Sequence, residues 1–283
     1  MLYKFMRYPN GLAKAVTLSY DDGHIMDMRF SDRISKAGLK CTFNLISDGV
    51  ISKPMSKEQV EEYILARGHE IAVHGKRHRA EGTLRPIEGI SEVLDCRREL
   101  EEKYGLIIRG MAYPDNGITQ FANSANYEQV KNYLTELDIA YARTLGSDNT
   151  LFDLPSDWHA WMPSAYHFNP ELMAMIDKFF DEDLSINRHP ARRRPKLFYL
   201  WGHSLEFERS NNWELLDEIC DKLGGHEDIW YATNMEIYDY VNAYNSLIYS
   251  ADGKTIYNPT LIDVWFDIDG KVYKISSGET IKI

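Results

Sequence analysis

Two adjacent carboxylates followed by glycine, in Ser19-Tyr20-Asp21-Asp22-Gly23-His24, are the first residues of the chain equipped for chemistry. At the end of a parallel strand such neighbours diverge, one toward a metal and the other toward a substrate. The same Asp-Asp-Gly is also ordinary turn chemistry that caps a helix. A second group, His74-Gly-Lys-Arg-His78, sets two imidazoles four residues apart. On one helical turn both reach a single divalent ion, a carboxylate completes three protein ligands, and an open position remains for water. A pair of exposed histidines in a basic loop would have the same spacing. The third is His203 in Trp201-Gly202-His203-Ser204, where a lone histidine is structural as readily as catalytic.

What must hold these residues is an alternation of strands and helices. Short β-branched or aromatic runs predict strands near residues 15–20, 41–46, 70–74, 107–113, 140–144, 196–201 and 229–233, separated by stretches of helical period. Ser56-Lys-Glu-Gln59 has the form of a capping box, and Asn169-Pro170 supplies a cap and a first-turn proline. Asn211/Asn212 and Asn234 mark two further helix starts, the first of these helices stopping at Gly224-Gly225. About seven strand–helix units predict an α/β fold, a distorted (β/α)7-type barrel over residues 1–245. Beyond Ser250 the period becomes two: residues 261–268, an Asp269-Gly270 turn, then 271–275 and 280–283 predict a small C-terminal β appendage, residues 246–283, packed on the barrel. All three chemical groups then fall at C-terminal strand ends, where loops of a parallel barrel converge.

The chain has 283 residues, 44% hydrophobic, 12% aromatic and 27% charged, the composition of an ordinary globular protein. Its formal net charge of -11 disfavours nucleic acid and anionic membrane surfaces as partners. No apolar run approaches membrane-spanning length, and charges and a proline interrupt the first ten residues where a signal peptide needs an unbroken apolar stretch. Cys41, Cys96 and Cys220 are too few and too scattered for a disulfide framework or a thiolate metal knot. A cytoplasmic location is expected. The basic run from Arg188 to Arg194 reads as a solvated loop.

Taken in order, Ser19-Tyr-Asp-Asp-Gly23, His74-Gly-Lys-Arg-His78, Ala112-Tyr-Pro-Asp115, Asp157-Trp158 and Leu200-Trp-Gly-His203 resemble the motifs of the polysaccharide deacetylase family, carbohydrate esterase family four. The resemblance runs from about residue 12 to 245. It implies that Asp21 is the general base, that Asp22, His74 and His78 hold a divalent metal, and that His203 is the general acid. Zinc is the default ion for such nitrogen and oxygen ligands, with cobalt, nickel or manganese as substitutes. An oxyanion would be held by the metal and a backbone N–H near Pro114–Asp115, and Tyr113, Pro114, Asp115, Trp158 and Trp201 are the expected substrate-binding residues. The expected substrate is an acetylated sugar, oligosaccharide or related acetamido compound. A non-sugar amide on the same barrel, or a silent carbohydrate-binding descendant, are the other readings.

Several positions depart from the family pattern. Ala112 and Asp115 replace its third-motif arginine and tyrosine, so the residue that orients the base carboxylate is missing from its usual place. Arg143, alone in an apolar strand, is the expected substitute, pairing with Asp21 or with another acid near the rim. Gly75 stands where the family has Ser or Thr. Asp157 is the expected partner of His203, and Asn44, His24 and Asp27 the expected pocket lining. Trp158, Trp161 and His167 lie in a long aromatic loop whose rings either meet sugar or pin the loop to the body.

Overall fold

The computed structural model describes residues 3–49, 51–146, 149–185, 189 and 192–283. Of the basic run, Arg188, Pro190 and Ala191 lie outside the described residues. Strand β1 (Lys4–Arg7) is followed by β2 (Lys14–Asp22), β3 (Cys41–Leu45), β4 (Glu70–Val73), β5 (Gly110–Ala112), β6 (Tyr141–Arg143), β7 (Ala165–Tyr166) and β8 (Lys196–Gly202). From β2 onward these strands run parallel in the order β6-β5-β4-β3-β2-β8-β7. The two edges meet through one short segment: Trp161 bridges Arg143 in parallel, and Ala165 pairs with Leu200. That contact closes a distorted (β/α)7 barrel. β9 (Ile229–Tyr231) pairs only with Lys14–Val16, at the start of β2, before β2 meets β3 at Leu18. The expected strand at 229–233 is thus present as β9 but joins the sheet only beside the start of β2, and the seventh strand of the barrel path is Ala165–Tyr166, whose two residues carry no periodicity to read.

Helices α1 (Asp27–Lys36), α2 (Lys57–Tyr63), α3 (Pro86–Tyr104), α4 (Tyr127–Glu136), α5 (Leu172–Asp181), α6 (Ser204–Arg209), α7 (Trp213–Leu223) and α8 (Asn234–Asn245) follow the strands. Ser56 caps α2 in a reciprocal capping box with Gln59, and the Asn212 side chain accepts from the Leu215 N–H at the start of α7. At α8 the cap is Thr233, boxed with Glu236, rather than Asn234. Asn234 is buried instead, meeting Thr17 and Tyr199 under the barrel. The central β2 is buried on both faces except at its ends, as a strand covered by helices requires. Val16, Leu18, Phe43, Val73 and Met111 pack with Phe30, Ile34, Val93 and Leu216, each buried side chain contributing about 1.5–3 kcal/mol of transfer free energy.

After α8 come β10 (Ile248–Tyr249), β11 (Thr255–Tyr257), β12 (Val264–Ile268), β13 (Lys271–Ile275) and β14 (Thr280–Lys282). They form two antiparallel sheets, β10-β11-β14 and β1-β12-β13. Asp269 (φ +48°) and Gly270 (φ +94°) make the tight hairpin between β12 and β13. The N-terminal β1 crosses to this sheet, Lys4 opposite Ile268 and Arg7 opposite Trp265. Asp267 is buried against Arg193 and Arg7, and the Tyr240 hydroxyl of α8 donates to the Arg7 carbonyl while accepting from the Trp265 N–H. Among the described residues no helix is long and apolar enough to cross a membrane.

Candidate active site

Neighbours on a strand face opposite ways, yet Asp21 and Asp22 both approach His74. The last residue of β2 makes this possible. Asp22 is left-handed (φ +87°) and is followed by Gly23 at +76°, so its carboxylate swings back toward the face that Asp21 occupies. A non-glycine residue held there costs about 1–3 kcal/mol, the sort of strain that a site retains for function. Asp22 Oδ1 lies 3.7 Å from His74 Nε2 and 3.6 Å from His78 Nε2. The two histidines are not on a helical turn: His74 follows β4 directly, Gly75 (φ +74°) reverses the chain, and His78 is itself left-handed (φ +56°). A loop brings the rings to 4.9 Å, nearly perpendicular.

These three residues place their ligand atoms within 4.8 Å of one another. His74 is buried, its Nδ1 2.9 Å from the Ala112 carbonyl, which it meets as donor. That bond fixes the tautomer and leaves Nε2 with a lone pair facing Asp22. Burial holds the His74 pKa below its ordinary value, against the charges of Asp21 and Asp22, which favours the neutral ring, the form that binds a cation. His74 Nε2 and Asp22 Oδ1 are both buried without a hydrogen-bond partner. Unsatisfied buried acceptors are costly, and a divalent cation answers both at once. The donor set fits such an ion.

Asp21 is buried at the centre of this end of the barrel. Its Oδ2 lies 2.5 Å from Arg143 Nη2 on β6, 3.9 Å from His74 Nε2 and 3.8 Å from His203 Nε2, and its Oδ1 accepts from Asn44 Nδ2 at 2.8 Å. Burial alone would raise the Asp21 pKa; Arg143, His74, His203 and the Asn44 hydrogen bond outweigh it, and the carboxyl stays below its usual range. The Arg143 guanidinium lies over the Trp201 ring, 4.5 Å from its centre, and Trp201 is fixed by its indole N–H donating to the Gly146 carbonyl at 2.7 Å.

His203 follows β8, and its Nδ1 lies 3.1 Å from Glu206 Oε2 on α6. Glu206 also faces the buried His167 Nε2 at 3.2 Å, and His167 Nδ1 accepts from the Tyr20 hydroxyl at 3.1 Å. Burial would lower the His203 pKa; the Glu206 hydrogen bond and the charges of Asp21, Glu206 and Asp22 reverse that and push it up to about 9. The same contacts hold Glu206 well below the carboxylate range despite its partial burial. Glu206 was legible only as an acid three residues after a histidine at a helix start. Asp157, expected in its place, sits elsewhere: it accepts from Tyr127 and Lys131 and from the His159 N–H.

Other expected residues divide. Trp158 packs edge-on against Trp161 and Tyr238, in the cluster around Tyr8, Leu197 and Tyr240 at the strands' N-terminal ends, because its loop returns to pass under β6 before rising as β7. Tyr113 is fully buried, its hydroxyl donating to the His159 carbonyl at 2.8 Å; Pro114 and Asp115 (φ +49°) follow it at the rim. His24 is buried at the start of α1, Nδ1 accepting from the Met26 N–H, and Asp27 is fully buried next to it.

Residues 8–130 match the family described as polysaccharide deacetylase. No curated protein matches the sequence. Among solved structures, a Mycobacterium smegmatis protein designated provisionally a polysaccharide deacetylase is 16% identical, with a TM-score of 0.55 over 84% of this chain and 93% of its own. A probable polysaccharide deacetylase from Pseudomonas aeruginosa is 13% identical (TM-score 0.54; 82% and 92%). A family 4 carbohydrate esterase from Streptomyces lividans, in complex with acetate, is 11% identical (TM-score 0.50; 78% and 93%).

Proposed function

With residues 8–130 matching the polysaccharide deacetylase family and the barrel shared with solved structures bearing that name, we propose that this chain is a metal-dependent hydrolase. It removes N-acetyl groups, or O-acetyl groups as the ester variant, from a sugar or oligosaccharide. The observation that carries the reading is the pair of buried, unpartnered ligand atoms, Asp22 Oδ1 and His74 Nε2, facing His78 and flanked by Asp21.

Asp22, His74 and His78 would hold the ion, zinc first, with cobalt, nickel or manganese suited to the same donors. When bound, such an ion acidifies water and polarises an acyl oxygen. The remaining work belongs to the chain. Asp21 takes the proton of the attacking water, Arg143 and Asn44 keep its carboxylate aimed, and His203 returns a proton to the departing amine or alkoxide. A backbone N–H at Pro114–Asp115 supports the oxyanion, and Trp201 walls the site. Residues 1–245 are assigned to this catalytic barrel, apart from β1, which pairs into the appendage sheet, and 246–283 to a β appendage packed on it.

The direct test is acetate release from N-acetylglucosamine oligomers by the purified protein, abolished by a chelator and restored by added zinc. Release from simple acetamides with none from the sugars would replace the substrate class, and chelator-insensitive release would overturn the metal.

The elevated His203 pKa gives this acid a pH signature. Glu206 favours its protonated form, so the acid is present through neutral pH and is lost as pH rises through about 9. Glu206→Gln removes the charge and leaves burial unopposed by it. The alkaline limb of the kcat profile is therefore expected to move down by one or more pH units, a shift of ~1.4 kcal/mol per unit. An unmoved limb would show that Glu206 does not set this acid.

A further inference from the structure

The loop that carries His78 is gripped on both sides of that residue by a single carboxylate. Glu92, in the middle of α3 and 1% exposed, accepts from the backbone N–H of Arg77 and, through its other oxygen, from Arg79 Nε at 3.0 Å and Nη2 at 2.7 Å. Its own carbonyl accepts from the Lys76 N–H at 3.0 Å. Residues 76, 77 and 79 are thus tied to one point on α3, and the residue between the last two, His78, is the one with the left-handed backbone at φ +56°. Gly75 allows the approach: a Cβ there would sit 3.3 Å from Glu92 Oε1, at a φ of +74°. His78 itself is partly exposed. The loop is also held ahead of it, where the Lys76 carbonyl accepts from the Asp48 N–H at 2.9 Å and Arg77 Nε donates to Asp48 Oδ2 at 3.1 Å, but Glu92 is the group that reaches both sides of His78.

We propose that Glu92 is the positioning residue of His78, holding the strained loop so that the imidazole stands ready opposite Asp22 and His74 before an ion binds. The proposal rests on the metal reading of those three residues. A buried anion placed to accept from a backbone N–H on one side and a guanidinium on the other is a strong, directional clamp. Supporting partners of this kind typically change metal affinity by ~10–100-fold.

The test is zinc affinity, by calorimetry on the metal-free protein, together with the visible absorption of the cobalt-loaded form, which reports ligand geometry independently of turnover. Glu92→Ala is expected to weaken zinc binding ~10–100-fold and to alter the cobalt spectrum. Glu92→Gln, which keeps an acceptor for the Arg77 N–H, should recover part of the loss. Arg79→Ala, at a half-exposed side chain, should fall between wild type and Glu92→Ala. A folded Glu92→Ala with wild-type affinity and spectrum overturns the proposal; if that variant does not fold, Arg79→Ala with both unchanged overturns it. Failure of the underlying reading looks different: either the wild-type protein binds no zinc, or His78→Ala binds it undiminished.

Discussion

Asp21→Asn is expected to lower kcat for acetate release by ~10²–10⁴-fold, the range that a positioned base contributes, while leaving zinc content unchanged. The substitution preserves size and the Asn44 contact but cannot accept the water's proton. It also leaves Arg143, 0% exposed, without its counter-charge, and breaking a buried pair in this way costs about 3–5 kcal/mol. The melting temperature should therefore drop, and activity must be referred to folded, zinc-loaded protein. Arg143→Ala separates the base from its support. Because Arg143 helps to hold the Asp21 carboxyl below its ordinary pKa, its loss raises that pKa, and the acidic limb of kcat should move to higher pH with zinc still bound. Stability follows the same sign. The Asp21 pair contributes above the unfolded carboxyl pKa and is lost as pH falls through the depressed folded value. Unchanged turnover in Asp21→Asn, measured on loaded protein, would remove it from the chemistry.

The second large effect is at the ligands. His74→Gln is expected to abolish detectable zinc binding, and activity with it, whereas wild-type protein should gain about 2.7 kcal/mol of stability at a zinc concentration one hundred times the dissociation constant. Gln retains a donor for the Ala112 carbonyl that His74 Nδ1 now meets, so the fold should survive. Thermal melts with and without zinc read both quantities together: the variant should melt as a cooperative domain and show no zinc-dependent shift. Asp22→Asn should behave likewise, since its carboxylate is the only anionic member of the trio. A zinc-induced shift of wild-type size in His74→Gln would place the ion elsewhere.

Much of this architecture is written locally. Lys196–Gly202 is an apolar run after its lysine, whereas in Lys14–Asp22 the apolar Val16, Leu18 and Tyr20 alternate with the buried polar Thr17, Ser19 and Asp21, so both strands are marked by local pattern. The Asp-Gly turn and the Ser56 capping box are equally local, as each depends on residues a few positions apart. The strand Ala165–Tyr166 was not legible, since two extended residues acquire their role only from neighbours on both sides. The cap of α8 was displaced by one residue for a related reason: Asn234 is drawn inward by Thr17 and Tyr199, distant partners that a local capping rule does not see.

The site divides along the same line. Sequence alone determined the identity of the chemical groups, Asp21, Asp22, His74, His78 and His203, and their arrival at one end of a parallel sheet, because strand direction fixes which rim each loop joins. Tertiary structure decided how they face one another. Glu206 rather than Asp157 supports His203, Trp158 turns to the opposite end of the barrel, Glu92 grips the His78 loop, and a left-handed Asp22 turns its carboxylate to the face of its neighbour. Glu206 lies only three residues from its histidine, but the others depend on partners 13 or more positions away or on a backbone angle maintained by packing. Residue type and spacing specify which groups are available, whereas closure of the barrel selects the distances between them.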